Sequence, residues 1–134
     1  MKASSIDIKD MLQADSSLGL LFKDNLFVGK EPTSEDVTPD TVTVYDTPGS
    51  PPQLTLKKGE NYYKPSVQVR IRNNSYPVGM SLGQNILESL HGRANETWNG
   101  SLYTLVQVIN GPFFLEWDKR ERAIFIININ LQRR

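Results

Sequence analysis

Pro65-Ser66-Val67-Gln68-Val69-Arg70-Ile71-Arg72 alternates apolar and polar side chains without a break. Val67, Val69 and Ile71 fall on one side of an extended chain, and Gln68, Arg70 and Arg72 on the other. A strand that is buried on one face and wet on the other belongs in an antiparallel sheet covered on one side only. The cover follows at once. Residues 77–91 space Val78, Leu82, Ile86 and Leu90 four apart, with Leu87 beside them, which predicts an amphipathic helix lying on that sheet. Pro77 suits its first turn, and Gly92 suits its C-terminal cap.

Downstream, Leu102 to Ile109 is apolar on both faces and predicts a central strand. Asn110-Gly111-Pro112 breaks it. Phe113–Trp117 and Arg122–Leu131 predict two more strands, joined by the polar four-residue turn Asp118-Lys119-Arg120-Glu121. Upstream, Ile8, Met11 and Leu12 share one face of a helix predicted over 4–15, with Ser4 and Asp7 at capping-box spacing. A short extended stretch at 25–29, a loop at 30–40 and a strand from Thr41 to Tyr45 come next. The three prolines at 48, 51 and 52 remove ladder donors and end that strand, so a long mobile loop is expected at about 46–63. The expected fold is α+β: an antiparallel sheet of about 5–6 strands with two helices packed on one face. The whole chain, 1–134, is expected to be a single domain.

The 134 residues suffice for one well-buried core. There is no cysteine, so disulfides, thiolate metal sites and cysteine nucleophiles are excluded. Fifteen basic residues balance fifteen acidic ones, whereas a dedicated nucleic-acid binder needs a basic excess. The balance is uneven along the chain. Residues 1–67 hold 7 basic and 10 acidic side chains, net −3; residues 68–134 hold 8 and 5, net +3. Such a polarised subunit is able to meet copies of itself, acidic side to basic side. No apolar run reaches the roughly 20 residues of a membrane span. The first residues also lack a signal-peptide core, so a cytoplasmic origin and no membrane partner are expected.

No catalytic residue, metal site or cofactor site is predicted. The lone histidine, His91, ends the predicted second helix, where it serves the helix C-terminus. Gly79-Met80-Ser81-Leu82-Gly83 lacks the lysine and hydroxyl of a phosphate loop. Glu116 and Asp118 flank an exposed turn, with nothing there to part their pKa values. Arg70 and Arg72 share a wet strand face, but the aromatics Phe113, Phe114 and Phe125 sit in strand interiors. A single-strand binding platform would need them interleaved with the cations.

Several stretches, taken in order, resemble the tail terminator and minor capsid proteins of long-tailed phages. They are Asn25 to Pro32, Pro39 to Gly49, the valine strand Pro65 to Arg72, and the helix with Gln84, Ile86 and Leu90. Tyr103 to Phe114 and the Trp117-Asp118 hairpin complete the order. The resemblance covers most of the chain. It implies a non-enzymatic, ring-forming virion protein, most often a hexamer, at the head-proximal end of the tail tube. Such a protein stops tube polymerisation and docks the head connector. Its implied partners are its own copies, the tail tube protein and the head connector or stopper protein, with DNA only as passing cargo. On this reading the docking loop contains Asp46, Pro48, Gly49, Pro51, Pro52, Lys57, Lys58, Tyr62 and Tyr63. Arg70, Arg72, Lys119 and Arg120 are candidate inter-subunit or lumen charges. The alternatives are a head-completion or connector protein of the phage neck, a small nucleic-acid-binding module, and a small metal-free hydrolase or isomerase.

Overall fold

The structure, a computed structural model, describes residues 2–32, 40–54 and 61–134. Two helices, α1 (Ser4–Ala14) and α2 (Tyr76–Leu90), accompany six strands. These are β1 (Leu26–Val28), β2 (Thr41–Leu54), β3 (Asn61–Asn73), β4 (Glu96–Trp98), β5 (Ser101–Trp117) and β6 (Ala123–Arg133). They form one mixed sheet, a half-barrel, in the order β1-β2-β3-β6-β5-β4. The α+β class is as predicted. β1, however, runs parallel to β2, with Leu26 opposite Val42 and Val28 opposite Val44. Three residues are too few to carry an alternation signal.

Val67, Val69 and Ile71 do face the core, with Val42 and Val44 of β2 and Phe125, Ile127 and Ile129 of β6. Both helices join that single core, α1 through Ile8, Met11 and Leu12, α2 through Ile86 and Leu90. Among the described residues no helix lies on the other sheet face, where the Glu31–Pro32 segment packs over Arg72. The face of α2 differs from the prediction. Val78 is exposed and Leu82 only partly buried, while Gly79 and Gly83 are buried. A Cβ on Gly79 would lie 2.6 Å from the Phe125 ring, and one on Gly83 2.6 Å from Pro112. The helix therefore lies closer to the sheet than a valine or leucine face allows.

Proline does not end β2. The strand continues through Pro48, Pro51 and Pro52 to Leu54, with register shifts between Thr47 and Ser50 and between Ser50 and Gln53. β1 covers only Val42 to Val44 and their neighbours, so these prolines occupy an edge where the lost N–H has no partner to forfeit. β5 likewise absorbs Asn110-Gly111-Pro112 within one strand, through a shift between Asn110 and Phe113. Gly111 has φ 99°, and a Cβ there would strike the carbonyl oxygen of Ile126.

The capping box at α1 is not formed. Ala3 is the N-cap and offers no side-chain bond. Instead the Asp46 carboxylate, arriving from β2, accepts from the Ser5 N–H at 3.0 Å and the Ser5 hydroxyl at 2.6 Å. An anion at a helix N-terminus satisfies a free donor and complements the dipole. In α2 Pro77 lies in the first turn as expected, and the Ser75 hydroxyl, which the sequence reading did not single out, accepts from the Val78 N–H. Gly92, at φ 87°, follows its C-cap.

Candidate functional site

Two regions hold the candidate residues. The first is a shallow, open cleft of about 320 Å³ on the sheet face opposite the helices, which brings Arg70 and Arg72 together with Lys119 and Arg120. The pairing dictates this. Arg70 lies opposite Ile126 and Arg72 opposite Ile124, so both stand next to the β5–β6 turn. Arg122, Glu31, Asp118 and Ile124 complete the lining. Asp118 organises the turn by accepting from the Arg120 and Arg122 N–H groups, each at 2.9 Å, and from the Arg122 guanidinium at 2.7 Å. Burial pushes its carboxyl up, but those hydrogen bonds outweigh it, and the group titrates below the usual carboxylate range.

The four cations are not equivalent. Arg72 is buried rather than wet, and its guanidinium donates to the Pro32 carbonyl at 2.9 Å. Burial lowers its pKa. Arg70 is half-buried, with long ion pairs to Glu31 at 3.8 Å and Glu116 at 4.0 Å. Lys119 and Arg120 are exposed at the turn. Further along the same face runs a row of amides and a hydroxyl. Gln68 donates to Asn128, which donates to Asn110 at 2.8 Å, and Ser66 donates to Asn130.

The second region is the β2–β3 hairpin, which extends past the end of β6, where Tyr63 pairs with Arg133. Asp46 belongs to the α1 cap rather than to a loop. Pro48, Gly49 and Pro51 lie exposed in β2. Gly49 crosses directly over β3: a Cβ there would meet the Lys64 carbonyl oxygen and stand 2.9 Å from the Pro65 Cα. Pro52 is in the strand as well. Lys57 and Lys58 lie outside the described residues. Tyr62 and Tyr63 are half-buried, with the Arg134 guanidinium 5.2 Å above the Tyr62 ring.

The sequence reading missed a buried polar cluster. Asp7 is fully buried and accepts from the Tyr103 hydroxyl and from the Asn99 amide at 2.6 Å. Arg133 donates to the Tyr103 hydroxyl at 3.1 Å and lies 3.6 Å from the Asp7 carboxylate. Burial, reinforced by the Asp7 carboxylate, pushes the Tyr103 phenol up to about 12. These groups join α1 to β5 and β6. His91 has a structural role: its Nδ1 accepts from the Val108 N–H at 3.0 Å. Among the described residues no group of three His, Cys, Asp or Glu could hold a metal, and no helix is long and apolar enough to cross a membrane.

A family model described as bacteriophage tail terminator protein matches residues 6–134. The chain belongs to that family. It is therefore a structural protein of the phage virion, in a family that is not one of known enzymes. A chain from the virion of a native gene transfer agent (GTA) particle has a similar structure. The TM-score is 0.68 at 9% identity, over 98% of this chain and 94% of that one. At that identity the match speaks for the fold alone. No curated protein matches significantly. For this tail terminator relative, the basic cleft and the hairpin are the surfaces that stand out from the sheet.

Proposed function

We propose that this chain forms a homo-oligomeric ring, a hexamer, that caps the head-proximal end of the tail tube. It would stop tube polymerisation and offer the surface on which the head connector docks. It would be assembled in the bacterial cytoplasm and remain in the tail-neck region of the virion. The observation that carries the reading is the family match over 6–134. Two features of the fold support it. Among the described residues one sheet face is without helices, and two of its four β3–β6 rows, Ser66–Asn130 and Gln68–Asn128, are neutral and polar, a stretch that would hold passing DNA weakly. The β2–β3 hairpin extends from one end of the sheet and the Asp118–Glu121 turn from the other, so each end presents its own surface to an axial partner.

The hairpin is the proposed docking element, with Pro48, Pro51 and the glycine contact at Gly49 stiffening its base. Replacing residues 51–62 by a two-residue turn keeps the ladder from Thr41–Thr47 to Ser66–Arg72. That variant is expected to fold and bind purified tail tubes but fail to join heads to tails. In a joining assay, unchanged plaque-forming particles would reject the hairpin as the docking element. Light scattering with and without tubes tests the cap itself. A chain that remains monomeric and leaves tube growth unchecked would reject it.

A further inference from the structure

Arg133 is only 8% exposed, yet part of its guanidinium has nothing to bond. Its Nη1 donates to the Lys2 carbonyl at 3.0 Å and to the Tyr103 hydroxyl at 3.1 Å, and stands 3.6 Å from the Asp7 carboxylate. Nε is buried and finds no acceptor among the described residues. Nε and Nη2 together form the side-on edge of a guanidinium, which grips two oxygens at once. Leaving a buried, charged donor without an acceptor is costly, so a free edge marks a place built for one.

Arg133 also lines an open cleft of about 310 Å³ between the start of α1 and the base of the β2–β3 hairpin. Lys64 lines it too; it is exposed and paired with no described carboxylate. Gly49 lies directly against the Lys64–Pro65 backbone, which holds β2 and β3 together along the cleft. Among the described residues Asp46 is the one carboxylate in the lining. Both of its oxygens are already taken, by the Ser5 N–H and the Ser5 hydroxyl. Two cations against one occupied carboxylate leave the described lining with one positive charge in excess. That suits a single anionic group. Duplex DNA is held otherwise, by a row of cations matched to successive phosphates.

We propose that this cleft is a carboxylate site, which takes an aspartate or glutamate side chain of the protein that docks on the hairpin. The carboxylate accepts from Arg133 Nε and Nη2 together and from the Lys64 ammonium. One such contact fixes register and orientation, while the hairpin supplies the contact area. The site rests on the proposed docking role of the hairpin and names the group that the docking recognises.

Two measurements separate the site from the docking. On the free chain, the Arg133 Nε–H resonance is followed while sodium acetate replaces sodium chloride at constant ionic strength. It should shift and saturate, and Lys64→Gln, at an exposed position, should weaken acetate about tenfold. A resonance that does not move, or a midpoint unchanged in Lys64→Gln, would overturn the site whatever the hairpin does. On joined particles, a water-soluble carbodiimide couples an amine to a carboxylate in contact with it as an amide and leaves as its urea. Lys64 should become linked to an Asp or Glu of a head-side protein, read by mass spectrometry of the joined peptides. A link from Lys64 to Asp46 of its own chain, or none from Lys64 while other lysines of this chain link to the head, would overturn the site and leave the docking standing. No link from any lysine of this chain to the head, with hairpin-shortened particles still forming plaques, would overturn the docking and the partner assigned here.

Discussion

Asp7 shows how much a single side chain can hide from a sequence reading. Its spacing from Ser4 reads as a cap, yet it turns inward to Tyr103, Asn99 and Arg133. The partners lie more than 90 residues away, and no local pattern announces them. The only signal was a pairing of opposite charges at the two chain ends, which spacing cannot distinguish from two solvated tails. The cluster makes a prediction in pH. Tyr103 titrates at about 12 when folded against a usual 10.0, so its contribution is fully present below pH 10. Between those values the unfolded phenol ionises first, and stability is lost as pH rises. Tyr103→Phe should cost about 1–2 kcal/mol at neutral pH and flatten that alkaline limb. Urea melts across pH 8 to 12 read both effects, and a variant whose limb matches the wild type would contradict the assignment. Asp7→Ala leaves the Arg133 guanidinium buried without its carboxylate and should cost more, roughly 3 kcal/mol.

The elements were legible where periodicity was strong and obscure where a residue type carried two meanings. Val67 to Arg72 and the 77–91 helix were readable because burial repeats along them. Arg72 was misplaced because the alternation of β3 says nothing of the Glu31–Pro32 segment that covers it. Proline reads as a breaker, and it is one only where an N–H would have been paired. At the edge positions of β2 and β5 it was free to stay in the strand. Glycine in α2 is the converse. Leu82 and Val78 suggest the buried stripe, but the close approach is made at Gly79 and Gly83. In an exposed helix, Gly→Ala gains about 1 kcal/mol. Here the added methyl would meet Phe125 or Pro112 at 2.6 Å, and overpacking a filled core costs roughly 1–3 kcal/mol. Gly83→Ala and Gly79→Ala should therefore destabilise the protein despite better helix propensity, Gly83→Ala the more because the Pro112 ring cannot rotate away. Denaturant midpoints that rise in either variant would show that α2 sits further from the sheet.

For the whole molecule, strand pairing decides which charges meet, and chain order does not. The charge split between residues 1–67 and 68–134, visible in the sequence, does not divide the sheet into two sides: Asp7 and Asp10 meet Asn99, and Glu31 faces Arg70 and Arg72. The four candidate cations, by contrast, do come together. They are scattered in sequence, and the pairing of β3 with β6 gathers them into one cleft, of which only Lys119 and Arg120 are exposed. If the exposed cations Lys119 and Arg120 guide the proposed assembly while shape and apolar contact hold it, the two terms separate with salt. Raising ionic strength from about 0.1 M to about 1 M shortens the screening length from roughly 10 Å to roughly 3 Å. Assembly on tubes should then slow in rate with little change in the stability of completed rings. Lys119→Glu combined with Arg120→Glu should slow assembly at low salt and approach the wild-type rate at high salt. Time-resolved light scattering on tail tubes measures both. A double variant that is equally slow at every ionic strength would mean that these side chains act by direct contact rather than through the field of the subunit.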